Sequence, residues 1–457
     1  MEQFDVIVIG SGSGMLIASA AIEQGLKVAL VEHGKMGGTC INVGCVPSKM
    51  LIYPADIATI AKEASKLGVN ATVNSVDFSN IMNRMHNLVN HDTGHQAAAV
   101  QATPEMTWFK ETGEFISDYT MQVGANTISG KMVFIASGAH AALPPIKGIE
   151  KVDYLTSDTV LELKTQPKSI IIVGGGYIGM EYGHFFSAIG TKTTIIQRPN
   201  RVIPEEEPEI SNLLQTEMSK RMEIYTGWEA MEAKQDGITK TLVARNRQDG
   251  TVKEFQAEAL MIATGRISNA NLLKPEKTGV KLDDHGFIKV NEYLETSKKH
   301  IYAFGDAIGK QMFKHVANYE AGIVWHNANH DHNAQMNYLA APHAIFSHPQ
   351  VASVGLKEAE AKEQKYKILV GRAEYKDTAM GAAMGYTEGF VKVIVERETG
   401  KILGCHIIGA EASNLIQEVI NAMVTEHGDF GPIARGMHIH PALSEVVQNA
   451  FGNLQPS

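Results

Sequence analysis

The chain of 457 residues carries a formal net charge of −9, with 44% hydrophobic and 20% charged residues. That length corresponds to about three domains with ample core, and the acidic balance argues against a nucleic-acid surface or an anionic-membrane anchor. No apolar run approaches the roughly 20 residues needed to span a bilayer. The first strand starts at Phe4, leaving no room for a signal peptide, so a cytoplasmic protein is expected, in which a disulfide is more often catalytic than structural.

Residues 4–10, Phe-Asp-Val-Ile-Val-Ile-Gly, read as a buried parallel strand. Gly10-Ser-Gly12-Ser-Gly14 follows, then a helical run from Leu16 to Gln24 and a second strand, Val28–Val31, ending at Glu32. This is a dinucleotide fingerprint: Gly10 makes the tight turn, Gly12 lets the backbone approach a pyrophosphate, the helix N-terminus offers N–H donors, and Glu32 suits a ribose diol. The third glycine of the motif would fall at 15, where Met15 stands.

Next comes Gly37-Gly38-Thr39-Cys40-Ile-Asn-Val-Gly44-Cys45-Val-Pro47-Ser48-Lys49, holding two of only three cysteines. A C-x4-C pair at the start of a helix can close a small, reducible disulfide. Cys45 in the first turn would have its thiolate favoured by the helix dipole, and Lys49, one turn on, adds positive charge. A metal site and a pair of inert core thiols are the alternatives. Structural zinc or an iron–sulfur cluster normally takes four ligands, and Cys405 lies far off in an apolar run.

Residues 50–100 read as helical and polar, with His86, His91 and His95 as solvated helix positions rather than metal ligands. Strand-like segments run from Met106 to Ile128 and over 131–138, ending in Ala136-Ser137-Gly138, and Pro144-Pro145 marks a crossing to the next domain. Ser169–Val173 then leads into a complete second fingerprint, Gly174, Gly176 and Gly179, followed by Glu181. Two fingerprints imply two dinucleotides. The strand Lys192–Ile196 ends in Gln197, with Arg198 and Arg201 close behind. A carboxylate there would repel a 2′-phosphate, whereas a neutral amide with two arginines can accept one, which favours NADPH over NADH.

Ala263-Thr-Gly265-Arg266 and Ile301-Tyr-Ala-Phe-Gly305-Asp306-Ala307 follow, then a helix with His315 and a His-rich end, His326, His330 and His332, read as a frayed polar terminus with no metal expected. From Ala341 the pattern changes: strands within Pro342–Gly355 and Phe390–Val395, helices at 357–364 and 412–425, and finally His440-Pro-Ala-Leu-Ser444-Glu445.

In this order the motifs resemble those of the class I flavoprotein disulfide reductases over nearly the whole chain. The resemblance implies an α/β fold with two Rossmann-like dinucleotide-binding domains, for FAD and NAD(P), and a C-terminal α+β dimerisation domain. The expected segments are 1–146 (FAD, first part), 147–264 (NAD(P)), 265–338 (FAD and central, second part) and 339–457 (interface). By resemblance Cys40 is the thiol that meets substrate and Cys45 the one beside the flavin. Lys49 pairs with Glu181, and His440, oriented by Glu445, shuttles protons at Cys40 of the other subunit. FAD would be held by Gly10, Gly12, Gly14, Glu32, Gly38, Thr39, Lys49, Ser137, Gly138, Gly305 and Asp306. The nicotinamide nucleotide would be held by Gly174, Gly176, Gly179, Gln197, Arg198, Arg201 and Gly265, with Tyr177 covering the nicotinamide pocket.

The expected activity is that of a homodimeric FAD enzyme of dihydrolipoyl dehydrogenase type, acting on a small dithiol or disulfide. Lipoyl groups of a 2-oxo acid dehydrogenase or glycine cleavage complex are candidate partners, with no nucleic acid and no membrane involved. The alternative is an NADPH-dependent low-molecular-weight disulfide reductase resembling mycothione reductase, which several stretches match. Ser444 and the ratio of 31 Lys to 10 Arg favour the dihydrolipoyl type. A mercuric reductase is disfavoured because no C-terminal cysteine pair is present. A non-catalytic flavoprotein subunit is disfavoured by the intact set Cys40, Cys45, Lys49, Glu181 and His440.

Overall fold

The computed structural model describes residues 1–330 and 334–457. The chain divides into two compact units: Met1–Met50 with Ser79–Ala142 and Gly265–Met336, and Leu51–Phe78 with Leu143–Thr264 and Asn337–Ser457.

The first unit is built on a seven-stranded sheet. Its centre is the strand Glu2–Ile9, flanked in parallel by Val28–Val31 and Asn126–Ile135, with Val8 opposite Leu30 on one side and Phe134 on the other. Met106–Phe109 continues the sheet beyond Val28–Val31, and Ile301–Ala303 lies parallel to Asn126–Ile135. Gly113–Ser117 and Thr120–Val123 extend this sheet antiparallel beyond Asn126–Ile135, and the Val/Ile runs are fully buried in a core that includes Ile17, Ala18 and Ala21 of the helix after the first glycine loop. The helix Gly14–Glu23 follows the first glycine loop. Here the missing glycine at 15 is explained. The close helix–strand packing falls one residue earlier, since a Cβ on Gly14 would lie 2.9 Å from Val8 Cγ1. Met15 instead packs its side chain against the core.

The second unit contains a five-stranded parallel sheet with Ser169–Val173 at its centre, between Lys192–Gln197 and Ala259–Ile262. A three-stranded antiparallel sheet, Trp228–Asp236, Thr239–Asn246 and Val252–Ala257, was not anticipated. Its strands are polar because only one face is covered, so no apolar run marks them in sequence. The C-terminal part is a six-stranded antiparallel sheet. Its strands Phe390–Glu396 and Ile402–Gly409 are packed by the helices Ala412–Met423 and Glu445–Gly452 through Ile416, Val419, Val446 and Phe451. Cys405 is buried in that core, and burial raises its thiol far above the ordinary range, so it is an inert packing residue. Among the described residues no helix is long and apolar enough to cross a membrane.

Candidate active site

Cys40 lies in the short helix Gly38–Asn42, and Cys45 is the first residue of the helix Cys45–Glu63. Both carry thiols in this structure, Cys40 half-buried and Cys45 exposed. Gly44 permits the approach of the two helices, since a Cβ there would stand 2.9 Å from the Thr39 carbonyl and 3.2 Å from Cys40 Cα. The Cys40 thiol is driven well above its usual range, first by its hydrogen bond to Cys45, then by burial and by the Cys45 charge. Lys314 opposes the shift.

Three residues that pattern reading missed hold this segment in place. Asn42 donates its Nδ2 hydrogens to the carbonyls of Met36 (2.9 Å) and Gly38 (3.0 Å), and its Oδ1 accepts the Thr93 hydroxyl at 3.0 Å. Ser11 accepts the Gly37 N–H at 3.1 Å and donates its hydroxyl to Glu32 at 2.9 Å, tying the first glycine loop to the redox segment. Lys314, first residue of the helix Lys314–Asn329, donates to Ser13 Oγ at 3.0 Å. Burial lowers its ammonium, while the two cysteines oppose that shift. Ser11 and Asn42 fall at positions that the motif spacings leave unspecified, and Lys314 is far away in sequence, so no local signal singled them out.

The same unit has the shape and chemistry of a dinucleotide cradle. Gly10 has φ +100°, and a Cβ there would lie 2.2 Å from the Ala136 carbonyl oxygen. Gly12 and Gly38 pack backbone to backbone, with a Cβ on Gly38 falling 2.8 Å from Gly12 Cα. Glu32 accepts the Ser11 N–H at 3.0 Å and the Gly34 N–H at 2.7 Å at the end of its strand. Ser137 Oγ is buried with no hydrogen-bond partner in the protein, as expected of a hydroxyl meant for a bound group. Asp306 is raised by burial, against the pull of Arg266, whose Nε lies 3.5 Å away. These features fit FAD.

In the second unit Gly174 has φ +110°, and a Cβ on Gly179 would fall 1.9 Å from the Gly174 carbonyl oxygen, so only glycine lets the helix start so close to the strand. A Cβ on Gly176 would meet nothing within 4 Å, leaving backbone open to a phosphate. Gln197 is buried: its Oε1 accepts the Gly175 N–H at 2.7 Å and its Nε2 donates to the Arg201 carbonyl at 3.1 Å. Its amide thus orders the loop rather than reaching outward. Arg198 is exposed and pairs with Glu229 at 3.4 Å. Glu181 is buried and accepts the Phe346 N–H at 3.0 Å.

His440 Nδ1 lies 2.8 Å from Glu445 Oε1, and Glu445 also accepts the Ala442 N–H at 3.0 Å. Glu445 is held below the usual carboxylate range by its hydrogen bond with His440, then by that N–H. The imidazole is exposed, so Nε2 is presented outward while Nδ1 is oriented by a carboxylate. Beside it His438 pairs with Glu418 at 3.0 Å, a second His–Glu contact that the sequence did not suggest. The His91 and His95 rings lie 4.3 Å apart at a tilt of 40°, and those of His326 and His330 stack. His332 lies outside the described residues. Among the described residues no three His, Cys, Asp or Glu side chains come together as a metal site.

This architecture belongs to a known class. Residues 4–322 match the pyridine nucleotide-disulphide oxidoreductases and residues 341–451 match the dimerisation domain of the same family, so the chain is a member of that enzyme family. It is 35% identical to mycothione reductase of Mycobacterium tuberculosis over 100% of both chains. It is 33% identical to a dihydrolipoyl dehydrogenase of Bacillus subtilis over 98% of this chain and 95% of that one. A mercuric reductase of Bacillus cereus shares 34% identity over 90% of this chain and 66% of that protein. The fold is similar to the HOCl-induced flavoprotein disulfide reductase RclA of Escherichia coli in its Cu(II) complex, with a TM-score of 0.88, 25% identity and 99% of both chains covered. The family uses FAD and NAD(P)H, and the chain is a flavoprotein oxidoreductase of that kind.

Proposed function

We propose that this chain acts as a homodimeric, cytoplasmic NAD(P)H–disulfide oxidoreductase of dihydrolipoyl dehydrogenase type, using Cys40 and Cys45 as its redox pair. The observation that carries the reading is the pair itself: Cys40 in a short helix and hydrogen-bonded to Cys45, which opens the next helix, in a chain that also holds an oriented His440–Glu445 couple. The segments 1–146 and 265–338 would form the FAD domain, 147–264 the nucleotide domain and 339–457 the interface.

FAD, when bound, relays two electrons between the nicotinamide and the cysteine pair. In the reducing direction the Cys40–Cys45 disulfide takes up those electrons and one proton, leaving a thiolate and a thiol. Cys40, as thiolate, attacks one sulfur of the substrate disulfide. The S–S bond breaks, a mixed disulfide forms, and the leaving thiolate takes a proton from His440 of the partner subunit. Cys45 then attacks Cys40, its proton passing to the departing substrate sulfur, so that the second substrate thiol is released and the disulfide restored. Run backwards, the same steps oxidise a dithiol such as a lipoyl group. Glu445 keeps the imidazole oriented for both proton transfers.

The pattern around Ser444 supports the dihydrolipoyl reading. A second reading, an NADPH-dependent reductase of a low-molecular-weight disulfide, is favoured by the full-length likeness to mycothione reductase and by Gln197 at the position where NAD-binding folds carry an acid. Anaerobic flavin reduction by NADH and by NADPH, followed by turnover with dihydrolipoamide and with small disulfides, separates them. NADH preference with dihydrolipoamide turnover upholds the first reading. NADPH preference with disulfide turnover and no dihydrolipoamide activity overturns it in favour of the second.

A further inference from the structure

Tyr177, the first residue of the helix Tyr177–Ala188, stacks on His343, with ring centroids 5.4 Å apart and ring planes 15° from parallel. His343 comes from a different part of the chain, the strand Pro342–Ile345. Its Nε2 is in short contact with Glu206 Oε1, and Glu206 is 2% exposed. The other oxygen of Glu206 accepts the Ser353 hydroxyl at 2.6 Å, and Ser353 Oγ lies 3.0 Å from Nδ1 of the buried His406. Both carboxylate oxygens are therefore committed, and the imidazole is held in one orientation under the tyrosine ring. The loop bearing Glu206 also grips the glycine turn, since the Ile203 N–H donates to the Gly175 carbonyl at 2.7 Å. Burial would push the Glu206 carboxyl up, yet its contacts with His343 and Ser353 hold it below its ordinary range.

We propose that His343 is a positioning residue for the nicotinamide gate: anchored by Glu206, it supplies the surface that holds the Tyr177 ring over the nicotinamide pocket. This rests on the reading of Tyr177 as the cover of that pocket. An entering nicotinamide must displace the ring from its stack, so the stack opposes binding of the nucleotide without touching the hydride-transfer step. The adenosine end of the cofactor plays no part in this, so NADH and NADPH are affected alike.

The test is anaerobic stopped-flow reduction of the FAD-loaded enzyme over a range of NADH and NADPH concentrations, giving an apparent Kd and a limiting rate. His343→Gln keeps a donor for Glu206 and removes the ring. An aromatic pair of this kind corresponds to a roughly two- to tenfold change in an equilibrium. The expected result is a fall of that size in apparent Kd, equal for both nucleotides, with the limiting rate unchanged. Tyr177→Ala should lower Kd likewise, and His343→Gln added to Tyr177→Ala should do nothing more. If His343→Gln folds poorly, His343→Lys, which gives Glu206 an ionic partner without a ring, carries the same expectation. An unchanged or raised Kd in the His343 variants, with a fall in Tyr177→Ala, overturns the role of His343 alone. An effect of His343→Gln that persists without Tyr177 overturns it too. No effect of Tyr177→Ala removes the gate reading and the proposal with it.

Discussion

Ser137 offers the sharpest test of the cofactor cradle. Its Oγ is buried without a partner, while its carbonyl accepts the Asn269 amide at 2.8 Å, so Ser137→Ala removes one hydroxyl and leaves the turn pinned. An unsatisfied buried hydroxyl costs about 1–3 kcal/mol, and a hydrogen bond formed there returns about 0.5–1.5 kcal/mol net. The substitution should therefore act in opposite directions on the two forms. The apoprotein should be as stable as the parent or up to about 1 kcal/mol more stable in urea. The FAD dissociation constant, measured by fluorescence quenching on titrating the apoprotein, should rise about tenfold, since 1.4 kcal/mol is a factor of ten. An unchanged Kd, or an apoprotein weakened by more than about 1 kcal/mol, would show that the hydroxyl serves the protein rather than the flavin.

Cys40→Ser should keep FAD bound and reducible by the nicotinamide while disulfide turnover falls to background. Loss of FAD from that variant would contradict the division of labour between the two cysteines. His440→Gln should slow thiol turnover by about 10²–10⁴-fold and leave flavin reduction intact, which separate half-reaction kinetics will read. Lys392 is buried among Glu207 (3.2 Å), Glu209 (2.8 Å) and Glu358 (2.8 Å), so Lys392→Met takes the shared cation from three carboxylates, of which Glu358 keeps Lys362 and Ser457 and Glu209 is partly solvated, and should cost about 2–4 kcal/mol in urea unfolding. The pH dependence has a definite sign. Burial pushes Glu358 up, but hydrogen bonds from Lys362, Lys392 and Ser457 outweigh it and bring its pKa from 4.5 down to about 2. Its contribution is present above pH 4.5 and fades as the pH falls toward 2. The gap between variant and parent should shrink over that window, and a gap that widens on acidification would refute the ion-pair account.

The sequence by itself determined the class of this protein, because its chemistry is written in local signals. Gly10 and Gly174 sit in turns that need φ near +100°, and Gly179 meets the carbonyl of Gly174 in its own loop, so these local requirements appear directly as a letter. Cys40 with Cys45, and His440 with Glu445, are likewise close in sequence, and their spacing on helical or turn backbone brings them together without long-range help. Gly14 was legible as part of the loop, but its service as the close-packing glycine in place of residue 15 emerged only with Val8 opposite it.

Only the tertiary structure decided what depends on partners distant in the chain. Gln197 reads as a ligand group because its strand ends where a second glycine fingerprint expects a nucleotide, and the fold shows its amide bonded to Gly175 and Arg201. Lys314 is placed near the redox thiols by a helix that begins more than 250 residues after them, so nothing local could name it. The stack of Tyr177 on His343 and its anchor at Glu206 join three segments through a buried carboxylate. Burial and pairing are properties of the packed chain, and one side chain's letter does not state which other side chain will lie against it.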